Sequence, residues 1–208
     1  MAAKRSSDTN DTAARILDIG ERLVQVRGFN GFSYADVASE LEMTKAALHY
    51  HFPGKAELGR ALIARYTERF AEALAGIDAA IPDAPDKLAA YAGLYSEVLR
   101  GQRMCLCGML AAEYQTLPEP MRDAVIAFID ANEAWVERVL SEGQRAGSIA
   151  LAGPASDAAR LIVSGLEGAM LVARPYGDIA RFDTAAEGLL ASFSVRPVSR
   201  GSRSRSRD

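Results

Sequence analysis

Apolar residues recur at helical spacing along almost the whole of this chain, and nowhere do they alternate as a half-buried strand requires. Ala13, Ile16, Leu17, Leu23, Val24 and Val26 keep a 3.6-residue period up to Gly28. Leu58, Leu62, Ile63, Tyr66, Phe70 and Leu74 resume it after Pro53-Gly54, and Val125, Phe128, Ile129, Trp135, Val136, Val139 and Leu140 continue it to Gly147. Each run is bounded by Gly or Pro, residues that end helices by opposite means, freedom at φ in one case and a missing N–H in the other. The pattern predicts an all-α fold of about nine helices. With 49% apolar residues in 208, there is enough material for a substantial core. No internal repeat and no glycine-rich phosphate loop is present.

One stretch carries chemistry. From Ser33 to Phe52 the spacing predicts two short helices joined by a tight turn. Val37, Ala38 and Leu41 form the apolar face of the first, and Thr44 caps the second. Ser33, with Asp36 three residues on, has the form of a capping box with Asp in place of the usual Glu. The second helix holds Lys45, His49, Tyr50 and His51 with no acid, side chains that can reach phosphates and base edges from a helix lying in a major groove. Leu48 and Phe52, four apart, are expected to face inwards. This is a helix-turn-helix, and the helix before it, capped by Thr9 or Asn10 and ended by Gly28, completes a three-helix unit.

Thr44-Lys-Ala-Ala-Leu-His-Tyr-His-Phe52, followed by Pro53-Gly-Lys-Ala-Glu-Leu58, resembles the recognition helix and exit of TetR-family repressors. The resemblance implies an N-terminal DNA-binding domain and a C-terminal helical domain for ligand binding and dimerisation. On its geometry Ala46, Ala47 and His49 face the bases. Thr44, Lys45, Tyr50 and Lys55 are expected at phosphates, and Ser33 and Tyr34 at a phosphate near the start of the preceding helix. Where the family commonly has Gly and a small hydroxyl residue, Ala46 and Ala47 offer methyls, complementary to thymine methyl groups. His49 and His51 stand where Tyr is frequent. The implied partner is double-stranded DNA, bound as a palindromic operator by a homodimer and released by a small-molecule effector.

Charge agrees with such a division. Residues 1–60 hold eight Lys/Arg against eight Asp/Glu, residues 61–195 eleven against eighteen, and residues 196–208 five against one. A small DNA-reading head on an acidic body is compatible with a net charge of −3. The expected organisation is a flexible arm over 1–10, in which Lys4 and Arg5 can touch phosphate. A DNA-binding domain follows over 11–54, a ligand-binding and dimerisation domain over 55–195, and a disordered Arg/Ser tail over 196–208. A helix over 55–77 links the domains and is the natural transmitter between them.

In the second domain, helices are expected over about 86–100, 103–116 and up to 146. Tyr91, Tyr95, Met104, Cys105, Met109, Tyr114, Phe128 and Trp135 are candidate lining for an effector pocket among them. The helix predicted over about 157–174 is apolar nearly all round, so it is either central or covered by another chain. Together with one over about 183–193, rich in Gly and Ala, it is the expected dimerisation surface. No window approaches the roughly 18 apolar residues of a membrane span. The polar first ten residues do not form a signal peptide, so a cytoplasmic location is expected, with no cofactor or metal.

Cys105 and Cys107, two apart on an expected helix, point away from each other, which disfavours a shared metal or a mutual disulfide. Arg103-Met-Cys-Leu-Cys-Gly-Met-Leu110 resembles a Gly-Cys-Leu-x-Gly-Asn-Leu segment of a TetR subgroup that includes regulators answering electrophiles. There Cys105 and Gly108 match, while Met104 and Met109 depart. The resemblance implies a reactive Cys105, its thiol acidified by a helix start and Arg103. A thiol enzyme is the alternative from another class, but both histidines lie in the DNA motif and no general base of the usual kind is left for the thiols. A third reading is an architectural DNA binder with no ligand.

Overall fold

The computed structural model describes residues 2–193, which form nine α-helices and two single 3₁₀ turns, with no strand among the described residues. They are α1 (Ala2–Arg27), α2 (Tyr34–Glu40), α3 (Lys45–His51), α4 (Lys55–Ala80), α5 (Ala84–Arg100), α6 (Leu106–Ala112), α7 (Glu119–Ala146), α8 (Ala155–Ala173) and α9 (Ile179–Ala191). The tail expected over 196–208 lies outside the described residues. None of the described helices is long and apolar enough to cross a membrane.

Three boundaries differ from the sequence pattern. Helix α1 begins at Ala2 instead of at a Thr9 or Asn10 cap, because no Pro or Gly interrupts its hydrogen bonding, so the expected arm is continuous with the first helix. Helix α6 begins at Leu106, not Arg103, because the Met104 N–H is spent on Gln25 O of α1 at 3.2 Å and Cys105 serves as the cap. Helix α9 starts four residues early, where Asp178 accepts the Ala180 N–H at 3.0 Å, and this brings Phe182 into the core at 1% exposure.

Helices α1–α3 form a head around Ile16, Leu23, Val24, Phe29, Phe32, Val37 and Leu48, all buried. The turn between α2 and α3 closes as a Schellman motif. Met43 N–H reaches Ala38 O at 3.0 Å and Glu42 N–H reaches Ser39 O at 3.4 Å, with Glu42 in the left-handed region at φ 53°, where Gly is the usual occupant. Helix α4 packs on α1 at one end and on α7 and α5 at the other, while α5, α7, α8 and α9 make the body. Its hold on α1 is ionic as well as apolar. Glu21, buried in α1, accepts from Arg65 at 2.9 Å and from Arg69, and Arg65 also reaches Asp18 at 2.8 Å. At the other end of α4, Asp78 accepts from Lys87 of α5 and from Trp135 and Arg138 of α7. Those three hydrogen bonds hold its carboxyl below the usual range despite partial burial.

Candidate nucleic-acid interface and effector cavity

Helix α3 presents one side outwards because Leu48 fastens the other, fully buried, into the head. Thr44 Oγ1 accepts the Ala47 N–H at 3.2 Å and fixes where the helix starts. Thr44, Lys45, Ala46, His49 and Tyr50 are exposed, Tyr50 to 79%, with Ala46 and Tyr50 opposite Leu48 on the helix and Ala47 and His51 half-buried. Lys45 has no acceptor among the described residues. Tyr50 packs its ring edge-on against His51 with centroids 5.3 Å apart. His49 Nδ1 lies 2.9 Å from Pro53 O, so Nδ1 carries the ring hydrogen. Its Nε2 is then an acceptor when the ring is neutral and a donor when it is protonated. The exposed face offers an ammonium, two hydroxyl hydrogens and a methyl, the inventory of a surface made for phosphates and base edges.

Three residues expected at phosphates do other work. Tyr34 is buried, and its hydroxyl hydrogen is shared between Phe52 O at 2.9 Å and Gly54 O at 2.6 Å, tying the end of α3 to the start of α4. Burial, and next the charge of Glu57, push its phenol up to about 12, so it stays a neutral donor. Lys55 turns its Nζ inwards to Phe29 O and Phe32 O, above both aromatic rings at 4.6 and 4.3 Å, and burial lowers its pKa. Ser33 donates both its N–H and its hydroxyl to Asp36 Oδ2, each at 2.7 Å, which holds the Asp36 carboxyl low and leaves no hydroxyl hydrogen for a phosphate. In each case the polar group has a partner within the protein, Tyr34 and Lys55 partly in its interior and Ser33 at its surface.

In the body, a cavity of about 350 Å³ lies between α5, α6, α7 and α8. Of the residues expected to line it, Tyr95, Met104, Met109 and Phe128 do so. The other four lie outside the lining. Tyr91 is fully buried beside it and stacks on Trp135, whose Nε1 is bound to Asp78 at 3.0 Å. Tyr114 sits in the 3₁₀ turn under Arg122. Cys105 is buried behind α6. Sequence reasoning missed the polar lining, Asn132 and Glu133 of α7 and Ser164 and Glu167 of α8. An acid such as Glu167 in an otherwise apolar helix was the available signal.

Helix α6 connects cavity and head. Cys107, Gly108, Met109, Ala111 and Ala112 line the cavity, and the next residue, Glu113, accepts the Phe29 N–H at 2.5 Å and the Asn30 N–H at 3.3 Å in the turn between α1 and α2. Asn30 Nδ2 also donates to Thr116 at 2.7 Å. Gly28, at φ 83°, is required here twice over, since a Cβ would be strained and would meet the Glu113 carboxylate at 2.7 Å.

The two cysteines are free, and each is at most 2% exposed. Cys105 does cap α6, its Sγ accepting the Gly108 N–H at 3.4 Å, which favours the thiolate. Burial and the neighbouring Glu167 carboxylate outweigh that bond, and both thiols are pushed well above their ordinary value. An acidified Cys105 is therefore not what the fold provides, because Arg103 turns instead towards Gln25.

An all-helical protein with a helix-turn-helix on a compact head, and a second helical domain hydrogen-bonded to that head through Glu113, has the architecture of a helix-turn-helix DNA-binding regulator. The chain matches the family model described as "Bacterial regulatory proteins, tetR family" over residues 16–62. It matches the one described as "Tetracyclin repressor-like, C-terminal domain" over residues 84–189. A solved TetR-family transcriptional regulator from Agrobacterium tumefaciens superposes with a TM-score of 0.87 at 30% identity, covering 90% of this chain and 100% of that one. Among curated relatives, the HTH-type transcriptional repressor DhaR of Mycobacterium sp. is 25% identical over 139 residues, 64% of this chain and 68% of its own. The transcriptional regulator AcuR of Cereibacter sphaeroides is 25% identical over 155 residues, 71% of this chain and 69% of its own. The chain belongs to the TetR family of bacterial DNA-binding transcriptional regulators. Its relatives are regulators, not enzymes.

Proposed function

We propose that this protein is a homodimeric repressor that holds a palindromic operator with two α3 helices and releases it when a small molecule fills the cavity between α5, α6, α7 and α8. The observation that carries the reading is α6, which walls the cavity along its length and ends in Glu113, hydrogen-bonded to the backbone of the head. A ligand that displaces α6 acts on the α1–α2 turn through those bonds, and only a differential affinity for the displaced state can lower DNA affinity. Helix α4, held to α1 by Glu21 with Arg65 and Arg69, carries the same displacement to the base of α3. The direct contacts to DNA are assigned to Thr44, Lys45, Ala46, Ala47, His49, Tyr50 and His51.

The second copy is assigned to α8 and α9. Leu161, Leu171 and Val172 of α8 are 53–59% exposed, a run of apolar surface that a monomer rarely leaves uncovered. Burial of both thiols favours ligand occupancy over covalent modification as the signal.

Selection of random-sequence duplex DNA by the purified chain at about 0.15 M salt, where nonspecific phosphate attraction is screened, tests the reading. A palindrome with half-sites about 34 Å or slightly more apart is the expected outcome. A folded, dimeric protein that enriches no motif overturns it.

A further inference from the structure

The polar groups around the cavity are unequal in kind. Tyr91 donates to Asn132 Oδ1 at 3.2 Å, so at the 3.0 Å contact between the two phenols it is Tyr95 that donates, and the Asn132 amide gives a hydrogen to Phe128 O at 2.8 Å. Ser164 donates to Arg160 O at 2.6 Å. The hydroxyl hydrogens of Tyr95 and Ser164 are thus already used inside the protein. Beside the second Asn132 amide hydrogen and the weak Cys107 thiol donor, what remains in the lining is acceptor capacity, and its strongest member is Glu167.

That carboxylate comes off a helix that is otherwise largely apolar and lies against Gly108, so closely that a Cβ there would stand 2.3 Å from Oε2. No Lys or Arg pairs with it among the described residues, and its neighbour is the Cys105 thiol. Burial raises its pKa, the sign of a negative charge lacking compensation. Glu133, also in the lining, has only a 3.7 Å contact to the exposed Arg160. Arg174 touches Met109 of the lining but is bonded to Val26 O. The remaining walls are aromatic and thioether surface from Tyr95, Phe128, Met104 and Met109, which favours a cation over an anion.

We propose that the effector of this protein is an organic cation, an amine or quaternary ammonium on an apolar body, whose charge is taken by Glu167 with Glu133 at its flank. The inference rests on the reading of this cavity as the effector site. It deepens that reading by disfavouring carboxylates and phosphates, for which the lining holds no Lys or Arg.

Three probes of one shape separate the possibilities when titrated calorimetrically into the full-length dimer: 4-phenylbutylammonium, 4-phenylbutan-1-ol and 4-phenylbutyrate. The ammonium is expected to bind at least about tenfold more tightly than the alcohol, since hydrogen bonds to charged partners exceed neutral ones by about that factor, and the butyrate more weakly than either. Glu167→Gln is expected to erase the advantage of the ammonium and leave the alcohol bound. Ala112→Trp, which fills the cavity from α6, is expected to weaken all three. Butyrate binding as well as the ammonium, or discrimination that survives Glu167→Gln, overturns the cationic effector while the cavity stands as the site. Probe binding indifferent to Ala112→Trp, or no saturable binding of any probe up to about 10 mM, overturns the site and the cation together.

Discussion

The outer face of α3 and the wall of the cavity are mirror images in hydrogen-bonding terms. On α3 the free groups are donors and positive charge: Lys45, the hydroxyls of Thr44 and Tyr50, and a histidine whose second nitrogen becomes a donor on protonation. In the cavity the hydroxyl donors are consumed internally and acceptors are left over, ending in Glu167, whose partner is the Cys105 thiol and not a Lys or Arg. On the assignments proposed above, one surface suits a polyanion and the other a cation. The difference teaches that what a surface recognises is set by what its own fold has left unsatisfied. Tyr34, Lys55 and Ser33 carry groups suited to phosphate, and each of them already has a partner within the protein.

The largest break of this contrast is expected from Leu48→Ala, which removes the anchor that makes α3 one-sided. Truncation of a fully buried leucine costs about 2–5 kcal/mol. Urea denaturation followed by circular dichroism should show a loss in that range, with operator binding lost at temperatures where the rest of the body remains folded.

Next comes Lys45→Ala, which removes one phosphate contact per protomer and leaves the fold intact. In the dimer the slope of log K against log salt should become less steep by about two, and affinity at about 0.15 M salt should fall roughly thirtyfold. Fluorescence anisotropy across a salt series measures both, and an unchanged slope removes Lys45 from the interface.

Tyr34→Phe sharpens the distinction between contact and support. Losing the hydroxyl that bridges Phe52 O and Gly54 O should cost about 1–2 kcal/mol of stability. The salt slope of DNA binding should not move. A shift in slope with unaltered stability would return Tyr34 to the phosphate.

The smallest expected effect is a gain. Glu42→Gly relieves a left-handed residue in the α2–α3 turn and should stabilise the head by about 0.5–1 kcal/mol, seen as a rise in Tm, with no change in either recognition surface.

Much of this was legible beforehand. Gly28 and Gly147 marked helix ends at which both in fact adopt positive φ, and the Ser33–Asp36 capping box and the Thr44 cap stand where the residues announce them. Leu48 was legible as core because it stands four positions from Phe52, on one apolar face. Cys105 shows the converse. Its pKa depends on burial and then on Glu167, sixty-two positions away, and no local pattern carries either. Trp135 and Tyr91 were assigned to a cavity because large aromatics at helical spacing look alike whether they face a void or another ring.

The amino-acid sequence by itself determined the periodic features of this protein. Its all-helical class, the position of the helix-turn-helix and the one-sidedness of its second helix follow from contacts within a few residues, where backbone geometry fixes which side chains share a face. Only the tertiary structure decided which polar groups remain free. It joined Glu113 to the amides of Phe29 and Asn30, turned Lys55 inwards, and left Glu167 in the cavity wall without a basic partner. Such pairings are made between helices far apart in the chain, and hydrogen-bond satisfaction belongs to the packed molecule as a whole.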